Sequence, residues 1–256
     1  MSILNLHTFG DPDGETLVAI HGITGHGRRF RRLAEEAWPN RHTIAVDLRG
    51  HGRSLSDGPW SIPQHVTDVI DTLDSLGIAE TDLIGHSYGG VIGYHLLARS
   101  PERIRRLVML DPAFARPADA MNGAAVAEMA KPGFASSDEA LAAEWVGYPE
   151  HVLPAAIENV EEHLQLGDDG RYRMRYHRPA VIAGWGELCT PVPVVTTARA
   201  ALVVVADRAG LVTPAILDAV RSGIGDELHV VHVDSGHTLD WERFDETAAA
   251  VTNFLG

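Results

Sequence analysis

Short, continuous apolar runs alternate along this chain with longer segments whose apolar residues recur at helical spacing. A continuous apolar run is typical of a strand buried on both faces, and helical spacing is typical of an amphipathic helix. Their alternation predicts an α/β fold, with a doubly wound, mostly parallel sheet covered by helices. The predicted strands are an edge strand at 3–9 and buried strands at 17–20, 43–46, 81–84, 107–110, 201–205 and 229–233.

Several helices are indicated by their ends as well as by their apolar spacing. Residues 66–76 predict an amphipathic helix that ends at Gly77. Residues 213–222 begin with Thr-Pro, a favourable helix start, and predict a helix that ends at Gly223. Residues 244–255 predict a final helix.

An apolar stripe at helical spacing also follows the first buried strand, between residues 30 and 38. A run of arginines lies off this stripe, so we expect these side chains to form a solvated face. Binding of an anionic substrate is the alternative for them. The arginines are Arg28, Arg29, Arg31 and Arg32.

The alternation of strand and helix stops after residue 115 and resumes at residue 200. Residues 116–199 contain no convincing strand–helix–strand unit. We therefore expect an α/β core built from residues 1–115 and 200–256, with residues 116–199 inserted as a helical unit. The predicted elements of this insert are helices at 119–130, 138–146 and 153–165 and an extended stretch at 171–176.

Composition and net charge limit the classes of binding partner and the cellular compartment that we expect. The 256 residues suit one large domain with an insert, and a net charge of -14 argues against nucleic acid and anionic membrane as partners. No apolar run approaches the ~20 residues of a membrane span, and residues 1–7 do not resemble a signal peptide. The single cysteine, Cys189, excludes an internal disulfide, and we expect a cytoplasmic protein. The sequence does not indicate its oligomeric state.

The segment from Gly85 to Gly89 reads Gly-His-Ser-Tyr-Gly and lies between a predicted strand and a predicted helix. A serine on such a sharp turn takes up a strained backbone, and the two glycines leave room for the turn. The N-terminus of the following helix stabilises negative charge that develops beside the hydroxyl. The pattern favours Ser87 as a nucleophile over the simpler interpretation, in which the serine only caps the helix.

With three further motifs, this turn resembles the α/β-hydrolase fold family, in its capped, esterase- and lipase-like branch. Residues 21–23, His-Gly-Ile, are similar to the family's oxyanion loop, and residues 47–54 are similar to its D-x-R-G-x-G-x-S loop. Residues 235–237, Ser-Gly-His, are similar to its catalytic-histidine loop. The resemblance is weak only in residues 116–199, which it implies form a helical cap over the serine.

The resemblance implies that Ser87 attacks a carbonyl carbon and that His237 acts as its base. The backbone N–H groups of Ile23 and Tyr88 are the candidate oxyanion donors, each typically worth roughly 3 kcal/mol of barrier. No cofactor and no metal ion is implied. Other histidines near the site lack the spacing of a metal motif, and we interpret them as loop and packing residues. They are His21, His26, His51 and His86.

The acid that supports His237 departs from the family pattern. Most members carry it on the loop after the strand that here ends at residue 205, but Ala209 occupies the corresponding position. Asp111, at the end of the preceding strand, and Asp207, two residues before Ala209, remain as candidates. We favour Asp111, because a minority of the family places its acid there. The absence of any supporting acid, with impaired catalysis, is the third possibility.

These features predict a serine hydrolase that cleaves a carboxylic ester, lactone or thioester of a small molecule through an acyl-enzyme. A serine at position 87 disfavours the dehalogenase and epoxide-hydrolase chemistry of the family, which needs an aspartate there. Amidase, cofactor-free C–C hydrolase, perhydrolase and acyltransferase chemistry use the same residues and stay open, as do the natural substrate and its acyl-chain length. A ligand-binding protein with reduced turnover is the alternative from another class, and Ala209 is the feature in its favour.

Overall fold

The computed structural model describes residues 4–197 and 199–256, so position 3 of the predicted edge strand lies outside the described residues. In the described part of the chain, seven strands form one sheet in the order β1-β3-β2-β4-β5-β8-β9, and β6 and β7 form a separate hairpin. Only β1 runs antiparallel in the large sheet. The strands are β1 (Leu6–Gly10), β2 (Thr16–Ile20), β3 (His42–Val46), β4 (Thr81–His86), β5 (Ile104–Leu110), β6 (Leu164–Leu166), β7 (Tyr172–Met174), β8 (Ala200–Ala206) and β9 (Leu228–Val233).

Successive residues of the central strands pack into different clusters, as expected for strands buried on both faces. In β2, Val18 and Ile20 lie in one hydrophobic cluster, and Leu17 and Ala19 lie in another. The fold class predicted from the apolar runs is therefore confirmed, and the carboxyl ends of the parallel strands share one edge of the sheet.

The helices follow the predicted pattern with differences at their ends. The helix that starts at Pro214 ends at Ile224 and not before Gly223, because Gly225 supplies the left-handed cap, with φ 72°. No helix in the described ranges combines the length and the apolar character that crossing a membrane requires. The helices are α1 (Ile62–Ser75), α2 (Tyr88–Arg99), α3 (Ala118–Ala130), α4 (Ser137–Trp145), α5 (Leu153–His163), α6 (Arg178–Glu187), α7 (Pro214–Ile224), α8 (Leu239–Glu242) and α9 (Phe244–Leu255).

The apolar stripe after β2 forms a 3-10 turn, Gly27–Phe30, and a π-helical turn, Leu33–Ala37, in place of a regular helix. The wider turn is closed by a hydrogen bond from Trp38 N to Leu33 O. It brings the indole N–H of Trp38 to 3.0 Å from Thr252 Oγ1 on α9. Packing against the last helix thus decides a local geometry that apolar spacing alone does not indicate.

Between β5 and β8 the chain forms α3 to α6 and the hairpin of β6 and β7. Helix α5 ends at His163, earlier than predicted, because residues 164–166 pair with residues 172–174. Helix α6 was not predicted from the sequence. It packs against α3 and also reaches the core, where a methyl group on Gly184 would lie 2.9 Å from Ile23 Cδ1. This segment therefore lies on the loop that follows β2.

One buried carboxylate ties the amino-terminal ends of the strands together. Asp82 is fully buried on β4 and accepts hydrogen bonds from Arg41 at 3.0 Å, Arg105 at 2.9 Å and Arg106 at 2.6 Å. Removing the carboxylate leaves the three guanidinium groups with the exposed Glu15 as their remaining shared acidic partner, at 3.2–3.8 Å.

We expect Asp82→Ala to lower the free energy of unfolding by about 3–5 kcal/mol, measured by urea denaturation. The matched control is Asp74→Ala, because Asp74 pairs with Arg103 at 2.8 Å but is 50% exposed. That exposed pair contributes about 1 kcal/mol or less. Equal losses in the two variants would contradict the role given to the Asp82 cluster.

Candidate active site

Ser87 lies on the turn between β4 and α2 with φ 54° and ψ −115°, a region that residues with side chains rarely adopt. The flanking glycines make the turn possible. A methyl group on Gly85 would lie 2.3 Å from the Gly89 carbonyl group, and one on Gly89 would lie 2.1 Å from Ile20 O. The serine hydroxyl is thereby held at the carboxyl edge of the sheet, beside the N-terminus of α2.

His237 connects Ser87 to a buried carboxylate. Its Nε2 lies 2.8 Å from Ser87 Oγ, and its Nδ1 lies 2.6 Å from Asp111 Oδ2. Because the carboxylate accepts, Nδ1 carries the proton and Nε2 is free to accept the serine proton. The structure therefore brings together the serine, the histidine and the favoured aspartate.

Asp111 directly follows β5, is fully buried and has φ 42°. Its backbone N–H donates to Val204 O at 2.8 Å, and its Oδ1 accepts from Ala206 N at 3.3 Å. Both contacts come from β8, the neighbouring strand, so the sheet itself fixes the direction of the carboxylate toward His237.

Asp207 does not contact His237. Its Oδ1 lies 2.7 Å from His232 Nδ1, on β9, and its side chain is 47% exposed. Its backbone N–H donates to Val233 O, which turns the residue toward the edge of the sheet. Ala209, at the usual position of the acid, packs against the hydrophobic cluster that contains Leu110.

The backbone N–H groups of Ile23 and Tyr88 have no hydrogen-bond acceptor among the described residues. They lie on the two loops that meet at Ser87, since a methyl group on Gly22 would lie 3.3 Å from Ser87 Cβ. Two free N–H groups beside a nucleophile are suited to binding an oxygen that gains negative charge.

The loop at residues 47–54 supports the loop that follows β2 through hydrogen bonds. His51 Nε2 donates to Ile23 O at 2.7 Å, and Leu48 N donates to His21 Nε2 at 3.0 Å. Asp47 Oδ1 accepts from Gly27 N at 2.8 Å, so the loop after β2 is fixed at both ends. His21 and His51 are loop residues as predicted, and their role is to support the position of Ile23.

Two residues hold the histidine loop in roles that the sequence did not predict, although Glu242, five residues after His237, also belongs to the resemblance to the family's histidine loop. His86, which we interpreted as a packing residue, lies with its Nε2 2.9 Å from His237 O. Glu242 Oε2 accepts from Gly236 N at 3.1 Å and from Arg208 at 2.7 Å. The place of His86 inside the Gly-x-Ser-x-Gly turn was the available signal for its role.

A cavity of about 270 Å³ opens above Ser87, with walls from the core loops and from residues 116–188. The many Ala, Leu, Met and Trp residues of positions 116–199 predict an apolar pocket, with Met121, Met129, Trp145 and Trp185 as candidate walls. Of these side chains, Met121 and Trp185 line the cavity. Met129 is 63% exposed, and Trp145 packs in a separate small cluster. The walls also carry charge, and the residues that supply it are Arg29, Arg116 and Glu144. The described residues contain no cluster of His, Cys, Asp and Glu suited to a metal ion.

Two buried histidines join the core to the inserted segment. The rings of His26 and His163 stack with centroids 4.4 Å apart, and His26 Nε2 lies 3.0 Å from Asn159 Oδ1. Burial, followed by the charge of Arg29, lowers the pKa of His26 to about 4. Burial, followed by His26, holds the pKa of His163 well below its usual value.

Acidification is expected to destabilise the fold through His26. As the pH falls below about 6.5 the unfolded chain binds this proton first, so stability decreases until the pH reaches the folded pKa of about 4. Between pH 7 and pH 5 this histidine should account for a loss of about 2 kcal/mol in urea denaturation. His26→Gln keeps a donor for Asn159 but does not titrate, so its loss should be smaller by that amount. An equal loss in both proteins would refute the assignment.

Comparisons with known proteins identify relatives of this chain and the fold that it shares with them. A sequence model described as the alpha/beta hydrolase fold matches residues 15–244. The chain is 32% identical over 259 residues to Lipase LipV of Mycobacterium tuberculosis, covering 99% of each protein. It is 36% identical over 95 residues to Esterase YbfF of Escherichia coli, covering 37% of each. The crystal structure of E-2-(acetamidomethylene)succinate hydrolase superposes with a TM-score of 0.86 at 24% identity, covering 98% of this chain and 94% of that one.

Proposed function

The chain belongs to the α/β-hydrolase fold family and is a hydrolase of ester bonds, and we propose that it cleaves small carboxylic esters through an acyl-enzyme formed on Ser87. The observation that carries this proposal is the continuous hydrogen-bonded series from Ser87 Oγ through His237 to Asp111. Such a series supports transfer of the serine proton to His237 Nε2 while Asp111 orients the imidazole ring.

In the first half of the reaction, Ser87 Oγ attacks the ester carbonyl carbon and His237 Nε2 takes the serine proton. The carbonyl oxygen becomes an oxyanion, which accepts hydrogen bonds from the free N–H groups of Ile23 and Tyr88. Asp111 stabilises the imidazolium at Nδ1. The tetrahedral intermediate then expels the alcohol, which leaves with the proton that His237 returns to it.

In the second half, water enters where the alcohol was. His237 Nε2 takes a proton from the water, whose oxygen attacks the acyl carbon of the ester on Ser87. The same N–H groups stabilise the second oxyanion. Collapse of this intermediate breaks the bond to Ser87 Oγ, which regains its proton from His237, and the carboxylic acid leaves.

We propose that residues 116–199 act as a cap on the core formed by residues 1–115 and 200–256. Side chains of this segment, among them Met121 and Trp185, share the walls of the cavity with Ser87. Its volume of about 270 Å³ lies just below the usual range for ligand pockets, roughly 300–1,000 Å³, which favours a short acyl group.

Lactones and thioesters fit the same sequence of steps, because each offers a carbonyl carbon with an oxygen or sulfur leaving group. Binding without turnover is less well supported. The feature that favours it is Ala209 at the usual acid position. Asp111, however, offers His237 a carboxylate from another strand. An intact hydrogen-bonded series favours an enzyme over a receptor.

The proposal is tested by measuring hydrolysis of nitrophenyl esters from acetate to dodecanoate and labelling by a fluorophosphonate probe. We expect labelling at Ser87 and the highest kcat/KM with short acyl chains. If the folded protein neither reacts with the probe nor hydrolyses any of these esters, the proposed function is wrong. Turnover that peaks with the longest chains would overturn the part about acyl size.

A further inference from the structure

The arginines that follow the oxyanion loop differ in their partners. Three of the four make ion pairs with glutamates: Arg28 with Glu162 at 2.9 Å, Arg31 with Glu158 at 2.7 Å and Arg32 with Glu36 at 3.3 Å. Arg29 has no carboxylate oxygen within 4.0 Å among the described residues. One member of a run that looks uniform in sequence is therefore left without an ion-pair partner among the described residues.

Arg29 is also the member of this run that lines the cavity with Ser87 and His237. Its guanidinium carbon lies 4.2 Å from the ring centroid of Trp241. This stacking holds the guanidinium plane in place without neutralising the charge, and leaves its N–H groups for another partner. The charge is thus both fixed in position and available.

The other charged groups at the cavity leave a positive excess. Arg116 lines it too, with no carboxylate within 4.0 Å among the described residues. Glu144 is the acid in the wall, and its Oε1 accepts from Asn159 Nδ2 at 3.0 Å. Asp240 lies near Arg29 without an ion pair; burial raises the pKa of Asp240, and the charge of Arg29 opposes that shift. Cations without an ion-pair partner at the reaction cavity stand out in a chain with 35 acidic and 21 basic residues. They are suited to binding an anion from outside the protein.

We propose that the substrate is an ester that also carries a carboxylate, and that Arg29 binds this carboxylate while Ser87 attacks the ester carbonyl. The inference rests on the proposed function and narrows its substrate class. A planar carboxylate matches the two parallel N–H donors of a guanidinium. A phosphate is the competing anion, and a separate substrate distinguishes it from a carboxylate.

Two pairs of substrates test the proposal on either side of the ester bond. Monomethyl glutarate and methyl glutaramate differ in a carboxylate against an amide on the acyl side. The pair 4-acetoxybenzoate and 4-acetoxybenzamide makes the same change on the alcohol side. We expect wild type to prefer the anionic member of at least one pair by tenfold or more in kcat/KM, mainly through KM. The phosphate arm is 4-acetoxyphenyl phosphate, and we expect its kcat/KM to be lower than that of 4-acetoxybenzoate.

Variants assign the preference to Arg29. Arg29→Met keeps a stem of similar length against Trp241 but removes the charge, and should lower the anionic-to-neutral ratio at least tenfold. Arg29→Lys should restore part of that ratio. Arg32→Met is the matched control, because Arg32 lies in the same run and stacks on Phe244 at 3.8 Å but does not line this cavity. Its ratio should stay within about twofold of wild type.

The outcomes separate this inference from the proposed function. Hydrolysis of neutral esters that depends on Ser87, without preference for either anionic ester, overturns the inference and leaves the esterase assignment intact. The same holds if Arg29→Met and Arg32→Met change the ratio equally, or if only the phosphate is preferred. If the wild-type protein hydrolyses none of these esters, the proposed function itself is wrong.

Discussion

Replacement of Ser87 by alanine is expected to reduce ester turnover about a millionfold, to the level of background hydrolysis. The hydroxyl is the atom that bonds to the acyl group, and the structure places no other hydroxyl 2.8 Å from His237 Nε2 among the described residues. The measurement is kcat for nitrophenyl acetate, with fluorophosphonate labelling as a second readout. Both should disappear in this variant.

The matched control is Ser100→Ala. Ser100 caps the other end of α2, so both variants lose a serine hydroxyl at a terminus of the same helix. We expect Ser100→Ala to keep turnover near that of wild type. Both variants should keep the wild-type free energy of unfolding, measured by urea denaturation, within about 1 kcal/mol. Turnover in folded Ser87→Ala that is comparable to wild type would remove Ser87 from the reaction.

The sheet was predictable because its strands are buried on both faces, which leaves continuous apolar runs such as residues 201–205. Helix α6 was not, because Gly184 and Gly186 weaken its helix signal. The structure explains Gly184 by its close approach to Ile23. A tertiary contact between α6 and the loop after β2 requires a residue that local propensity disfavours.

The candidate site likewise has features that the sequence predicts and features that it does not. Local spacing indicated the turn at Ser87 and the loop at His237, because a tight turn imposes glycines at fixed positions. The partners of the arginines were not predictable, since Arg31 meets Glu158 across 127 positions of sequence. The unpaired state of Arg29 is therefore visible only in the folded chain.

The second large effect on catalysis is expected from replacing the acid that supports His237. We expect Asp111→Asn to lower kcat about ten-thousandfold, because the amide no longer holds His237 in the required tautomer or balances the imidazolium charge. The substitution preserves side-chain volume, so urea denaturation should still show a cooperatively folded protein. Ester turnover at saturating substrate is the measurement.

Asp207→Asn is the comparison that decides between the two candidates. Asp207 is half-exposed and contacts His232, which lies on β9 outside the site, so its replacement should leave kcat within about threefold of wild type. The two variants make the same chemical change on the loops after neighbouring strands, and differ in which carboxylate reaches His237. Because Asp111 lies 2.6 Å from His237 Nδ1, only its loss removes the carboxylate that orients His237 and stabilises its positive charge. A crippled Asp207→Asn beside an active Asp111→Asn would mean that the loop after β8 rearranges in solution to supply the acid.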